Sequence, residues 1–322
     1  MPLRLVAIRE QVLGPDGDLQ QEREVNANGK PSALSGLGDL TLAVGGYKDL
    51  MQPFPDYGST PDGAKVRIIL VFLRIDRPVP PVALDGDAVA EVVVTPRAYS
   101  PPAYCLPLSG RLLVHDGHDF NSHHRRRDLV AATPGDPLQG RNANLYAYDF
   151  VRIDHQGALF QGSPDRKEDW LTFGAPVLAP VTGIVVEAVD GVPDNQFSRG
   201  EVVTPKVAES IDPLGLGNHV LVRAEDGRVS WLLHMEPGSV AVKTGDRVTS
   251  GQTLGQVGFS GDSLFPHLHY TVTDGAVYPS QGVPSYFAHF QRAPFSTGTP
   301  VAYGQVDSGD IIESDAQSGC HP

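Results

Sequence analysis

No stretch of this sequence sustains the hydrophobic period of an amphipathic helix; short apolar, β-branched runs alternate with glycine and proline instead. The chain holds 35 glycines and 28 prolines in 322 residues. Glycine tolerates positive φ and proline presets the backbone of a turn, so this usage favours many short strands joined by turns. The runs are Val66–Ile75 and Ala90–Thr95, then Arg111–His115, Tyr146–Ile153, Gly183–Val189, Asn218–Arg223, Val229–His234, Arg247–Val257 and His267–Val272. They predict an all-β fold with no internal repeat.

The composition shifts at Ser100-Pro101-Pro102, which suggests three parts. Residues 1–100 read as a β-rich N-terminal region of unknown function, without a constellation that carries chemistry. Residues 101–295 read as the functional domain. Residues 296–322, with Asp307, Asp310, Glu313 and Asp315, read as a C-terminal tail.

The formal net charge is −13. Phosphate backbones and anionic lipid attract a surplus of Lys and Arg, so nucleic acid and acidic membranes are excluded as main partners. The longest apolar run, Val66–Ile75, is interrupted by Arg67 and Arg74 and falls short of the roughly 20 residues of a membrane span. Met1–Gln11 carries Arg4 and Arg9 without an apolar core of signal-peptide type. The sequence as it stands therefore reads as cytoplasmic, or as secreted or periplasmic if exported by another route or after removal of a leader. The two cysteines, Cys105 and Cys320, are far apart in sequence and read as unrelated thiols. Oligomeric state is not legible.

Among eleven histidines, clustering selects the candidates. In Pro266-His267-Leu268-His269-Tyr270 the two imidazoles share one face of a strand while Leu268 turns to the other. Neutral imidazoles side by side suit a metal ligand with a neighbouring acid or base. Asp149 stands among strand-type aromatics, Tyr148 and Phe150, where a carboxylate is costly unless paired or metal-bound. His234 ends the apolar run Trp231-Leu232-Leu233. His123 and His124 sit in a polar loop before Arg125, Arg126 and Arg127.

The order of these residues, with the glycine framework between them, resembles the lysostaphin-type zinc metallopeptidases that cut peptide cross-links in bacterial cell walls. The segments carrying the likeness are Phe173-Gly174-Ala175-Pro176-Val177, Gly217-Asn218-His219-Val220, Lys243-Thr244-Gly245-Asp246, Gly251-Gln252-Thr253-Leu254-Gly255 and Gly258-Phe259-Ser260-Gly261, leading into Pro266-His267-Leu268-His269. The resemblance covers roughly residues 110–275. It implies an antiparallel β-sandwich or barrel-like peptidase fold with a groove, and zinc as cofactor. It implies Asp149 and His269 as metal ligands, and His234 and His267 as the catalytic pair that deprotonates the attacking water and stabilises the oxyanion. The substrate would be a peptide, in peptidoglycan cross-links or elsewhere.

One position departs from the pattern. The family's H-x-x-x-D motif, with its acid at Asp149, would need a histidine where Leu145 stands, and leucine cannot bind metal. Either His123 or His124 supplies the ligand from upstream, or the domain is a non-catalytic module that binds a peptide or glycan strand. His124 and Asp128 also match the motif's spacing, but Asp128 does not lie on a strand leading into the glycine framework.

Overall fold

Two sheets of different size divide the chain into compact units, Met1–Ser100 and Pro101–Pro322. The computed structural model describes residues 1–29, 32–34, 37, 39–46, 50, 63–79, 86–96, 99, 102–117, 122–126, 141–207, 211–293 and 298–314. No α-helix occurs among them, and no helix is long and apolar enough to cross a membrane.

In the first unit the strands are β1 (Leu3–Leu13), β2 (Leu19–Asn26), β3 (Thr41–Leu42), β4 (Lys65–Arg74) and β5 (Ala88–Val94). They pair in the order β2-β1-β4-β5, with β3 also against β1, and every pairing is antiparallel. The apolar run of β4 gives it the central place beside β1. Val6, Ala7, Val71 and Leu73 bury one cluster, and Leu5, Ile8 and Leu34 another. Strand β2, Leu-Gln-Gln-Glu-Arg-Glu-Val-Asn, is mostly exposed, so its pairing with β1 rather than an apolar pattern defines it.

The second unit begins with β6 (Ala103–Tyr104), β7 (Gly110–Asp116), β8 (Tyr148–Arg152), β9 (Pro176–Leu178), β10 (Gly183–Val189), β11 (Gln196–Ser198) and β12 (Glu201–Val203). It continues with β13 (Asn218–Ala224), β14 (Val229–Met235), β15 (Arg247–Val248), β16 (Thr253–Gln256), β17 (Leu268–Thr273), β18 (Tyr286–Arg292), β19 (Thr299–Gly304) and β20 (Ile311–Ser314). The main sheet has eleven strands in the order β15-β10-β13-β14-β17-β8-β7-β20-β18-β19, with β6 added in parallel to β18. Two small ribbons, β11–β12 and β9–β16, complete the unit.

One sequence expectation changes. Residues 299–304 and 311–314 are strands within the sheet, not tail; β20 pairs with β7 and β19 with β18. β19, which carries Pro300 and ends on Gly304, and the four-residue β20 are too short to show a pattern. Cys105 is disulfide-bonded and no described cysteine is free. Cys320 and Asp128 lie outside the described residues.

Strand alternation sorts the central strands into two faces. Tyr148 and Phe150 of β8, Leu268, Tyr270 and Val272 of β17, and Val220 and Val222 of β13 all enter the main core, as does Leu232 of β14. On the other face Leu221, Val229, Trp231 and Leu233 form a smaller cluster. Strand β14 is buried along its whole length because both faces are covered. Leu232→Ala should therefore cost about 2–5 kcal/mol through lost burial and a residual cavity. Denaturant unfolding of the purified chain measures this.

Candidate functional site

Asp116, Asp149, His269 and Leu233 lie in one row across β7, β8, β17 and β14, as Cα partners of one another in sequence along the row. Alternation turns Asp149 and His269 away from the main core because their neighbours Tyr148, Phe150, Leu268 and Tyr270 enter it. His267, just before β17, joins them. Asp149, His269 and Leu233 form the floor of a pocket of about 630 Å³, whose walls include Trp231, Leu216, Phe265 and Tyr278.

His234 reaches this pocket through a break in regular pairing. In a uniform strand it would share the core face with Leu232. The β13–β14 register shifts between Asn218 and Val220, and His234 itself has φ of 62°. The bulge moves Met235 into the main core and aims His234 into the pocket. Bulges next to active sites commonly re-aim a side chain in this way. The neighbouring loop then fixes the ring: His234 Nδ1–H donates to the Ser260 carbonyl at 2.9 Å. Ser260 is held in turn by its hydroxyl bond to the Met235 carbonyl at 2.8 Å and by the Asn218 N–H at 2.9 Å. Gly217 permits this approach, since its φ is 68° and a Cβ there would lie 2.5 Å from Ser260 Oγ.

The same loop orients His267, whose Nδ1–H donates to the Phe265 carbonyl at 2.8 Å. Asn195 clamps that loop through Nδ2, which donates to the carbonyls of Gly261 and Ser263 at 2.9 Å each. His269 stands between two oxygens, with Nδ1 3.1 Å from Asp149 Oδ1 and Nε2 3.2 Å from Asn144 Oδ1. Asn144 and Asn195 carried no signal in the sequence, and Asn218 and Ser260 stood there only as part of the glycine framework, without a role.

His123 and His124 part company. His124, in a single 3-10 turn over His124–Arg126, is buried, and its Nε2 lies 3.5 Å from Asp149 Oδ1. The side chain of His123 is 53% exposed and contacts Asp116 rather than Asp149. Leu145 does not line the pocket. A third nitrogen, His267 Nε2, is 3.3 Å from the same Asp149 oxygen. Donors on a tetrahedral ion with bonds of about 2.0–2.1 Å stand about 3.3 Å apart. His124 Nε2 and His269 Nδ1 each stand near that spacing from Asp149 Oδ1; the candidate ligand groups are His234, His267 and His269 on one side and Asp116, His123, His124 and Asp149 on the other, and their N and O chemistry suits zinc.

Asp116 also went unread. Leu112 and Val114 occupy the core-facing positions of β7, and an acid in phase with them was the available signal. A bulge between Val114 and Asp116 sets Asp116 opposite Asp149.

Burial and charge divide the histidines. Burial pushes His124 down from its ordinary 6.5 to about 3, against the pull of Asp149. Burial and the neighbouring His267 and His269 hold His234 well below its ordinary value. His267 also loses hydration, but the charge and hydrogen bond of Asp149 outweigh that and raise it. Burial alone would raise Asp149; His267 and His124 overturn this and hold its carboxyl well below the usual range. For His124 the unfolded chain takes up a proton that the folded chain refuses, so this residue costs stability as pH falls from 6.5 towards about 3. His234 acts in the same direction, and His267 opposes it by favouring the folded state at low pH. In metal-stripped protein His124→Gln should flatten the fall in stability across that window, read by urea unfolding at stepped pH. An unchanged slope would refute the burial of a neutral His124.

Residues 170–281 match Peptidase family M23; this stretch includes His234, His267 and His269, while His124 and Asp149 precede it. Over 101 residues the chain is 34% identical to the peptidoglycan DD-endopeptidase ShyC of Vibrio cholerae serotype O1, covering 30% of this chain and 19% of that protein. Among solved structures, the catalytic domain of lysostaphin from Staphylococcus simulans is 23% identical, with 41% of this chain and 95% of that one covered at a TM-score of 0.25. The M23 metalloprotease Pseudoalterin, from the deep sea, is 16% identical, with 63% and 99% covered at a TM-score of 0.30. These structural likenesses are too weak to carry residue roles across. Over residues 170–281 the chain is similar to Peptidase family M23, and in sequence to a peptidoglycan endopeptidase of which it spans about a fifth.

Proposed function

We propose that the second unit is a zinc-dependent endopeptidase that hydrolyses peptide bonds, in peptidoglycan cross-links or a similar peptide. The observation that carries this reading is the convergence of His124 Nε2 and His269 Nδ1 on Asp149 Oδ1 at 3.5 and 3.1 Å, the spacing of ligands on one ion. The sequence likeness to a peptidoglycan DD-endopeptidase supports a wall-derived peptide as substrate. The disulfide at Cys105 suits the oxidising compartments outside the cytoplasm, where such a substrate lies.

His124, Asp149 and His269 would hold the zinc, three protein ligands with the fourth position left for water. Zinc, when bound, supplies a Lewis acid that polarises the scissile carbonyl and lowers the pKa of its water to about 7. His234 is kept neutral and, with Nδ1–H held by Ser260, presents the lone pair of Nε2 as the proton acceptor. His267 is biased towards its protonated form by Asp149, which suits donation to the developing oxyanion and then to the leaving amine. Two histidines with opposite shifts thus divide the base and acid roles. The apolar wall formed by Trp231, Leu233 and Phe265 limits competing water around them.

The full chain should bind one zinc per molecule, and chelation should abolish cleavage of wall-derived peptides. His124→Ala should lose the metal while His123→Ala keeps it, by metal analysis after dialysis. His234→Ala should keep zinc and lose about 10²–10⁴-fold in kcat. Peptidoglycan binding that survives chelation, with no turnover in the zinc-loaded wild type, would overturn the enzyme in favour of the binding module.

A further inference from the structure

His124 is the only proposed ligand that does not stand on a strand, so its orientation needs another source. Its ring lies between two buried carboxylates: Nε2 is 3.5 Å from Asp149 Oδ1 and Nδ1 is 3.2 Å from Asp116 Oδ2. Those acids face each other as Cα partners on adjacent strands, where like charges repel unless a donor or cation comes between them. Asp116 is itself 6% exposed and fixed from several sides. Its Oδ2 accepts the backbone N–H of His123 at 3.2 Å, and its Oδ1 accepts the Ser308 hydroxyl at 3.3 Å.

Building on the zinc reading above, we propose that Asp116 is the positioning residue for His124: it holds the proton on Nδ1 and turns the Nε2 lone pair towards Asp149. Metal-bound imidazoles commonly donate their second N–H to a carboxylate, which fixes both tautomer and ring orientation. In the structure the Nδ1 contact is close but off the line of a good hydrogen bond. The β7 bulge gains a purpose from this arrangement. Without it His115 would stand opposite Asp149 and Asp116 would turn to the core face. His123 shares the same carboxylate from the solvent side and acts as a neighbour, not a ligand.

The test compares zinc affinity of the full-length wild type, Asp116→Ala, Asp116→Asn, His123→Ala and His269→Ala by competition with a zinc-binding dye. Asp116→Ala should weaken binding about 10–100-fold. Asp116→Asn, which keeps an acceptor oxygen, should recover part of the loss, and His123→Ala should bind like wild type. Long-range proton–nitrogen spectra of the zinc-loaded chain should show the His124 Nδ1–H shifted downfield by its bond to Asp116 in wild type and less so in Asp116→Asn. Wild-type affinity and an unchanged Nδ1–H shift in Asp116→Asn would overturn the assignment. Two zinc ions per chain, one of them lost in His123→Ala, would overturn it as well, because Asp116 would then be a ligand. A wild type that binds zinc no better than His269→Ala would instead overturn the zinc reading on which the assignment rests.

Discussion

The site depends on one constraint, the two-residue alternation of three adjacent buried strands. In β8, β17 and β14 one set of side chains must fill the main core, and the other set is delivered to the opposite face. Tyr148, Phe150, Leu268, Tyr270 and Leu232 are all fully buried on the core side. Their packing fixes the register, and a slip of one residue would carry Asp149 and His269 into the hydrophobic interior. The chemistry of the pocket is therefore anchored by side chains that never touch it.

Two departures from regular pairing finish the site. One brings His234 out of the core phase with positive φ at the histidine itself, and the other turns Asp116 towards Asp149. Both cost local pairing; the first brings His234 into the pocket and the second sets Asp116 behind Asp149 and His124. The strain at His234 is supported by its surroundings: the Ser260 carbonyl holds the ring, and the Gly258 N–H donates to the His234 carbonyl at 2.9 Å.

Electrostatics follow from this placement. A single buried carboxylate, Asp149, lies beside three imidazole nitrogens, and its charge is tolerable only because they surround it. The same carboxylate raises His267 while burial and like-charged neighbours lower His234. The contact with Asp149 thus sets His267 apart from His234, whose burial outweighs the same charge.

Local chemistry in the sequence was enough for much of this. The scarcity of helical period gave the all-β class, and most of the apolar runs became strands. The spacing of His267 and His269 put both on one face, and Asp149 stood out because an acid between two core aromatics needs a partner. Other features were decided only by the tertiary structure. Whether His123 or His124 reaches Asp149 depends on a turn far upstream whose position no local pattern encodes. The bulges at His234 and Asp116 arise from pairing between strands, so neither strand's own alternation reveals them. Strands β19 and β20 gain their order from neighbours rather than from their own residues. Period and residue type act over a few positions and are written in the sequence; distances between remote residues exist only once the sheet has closed its register.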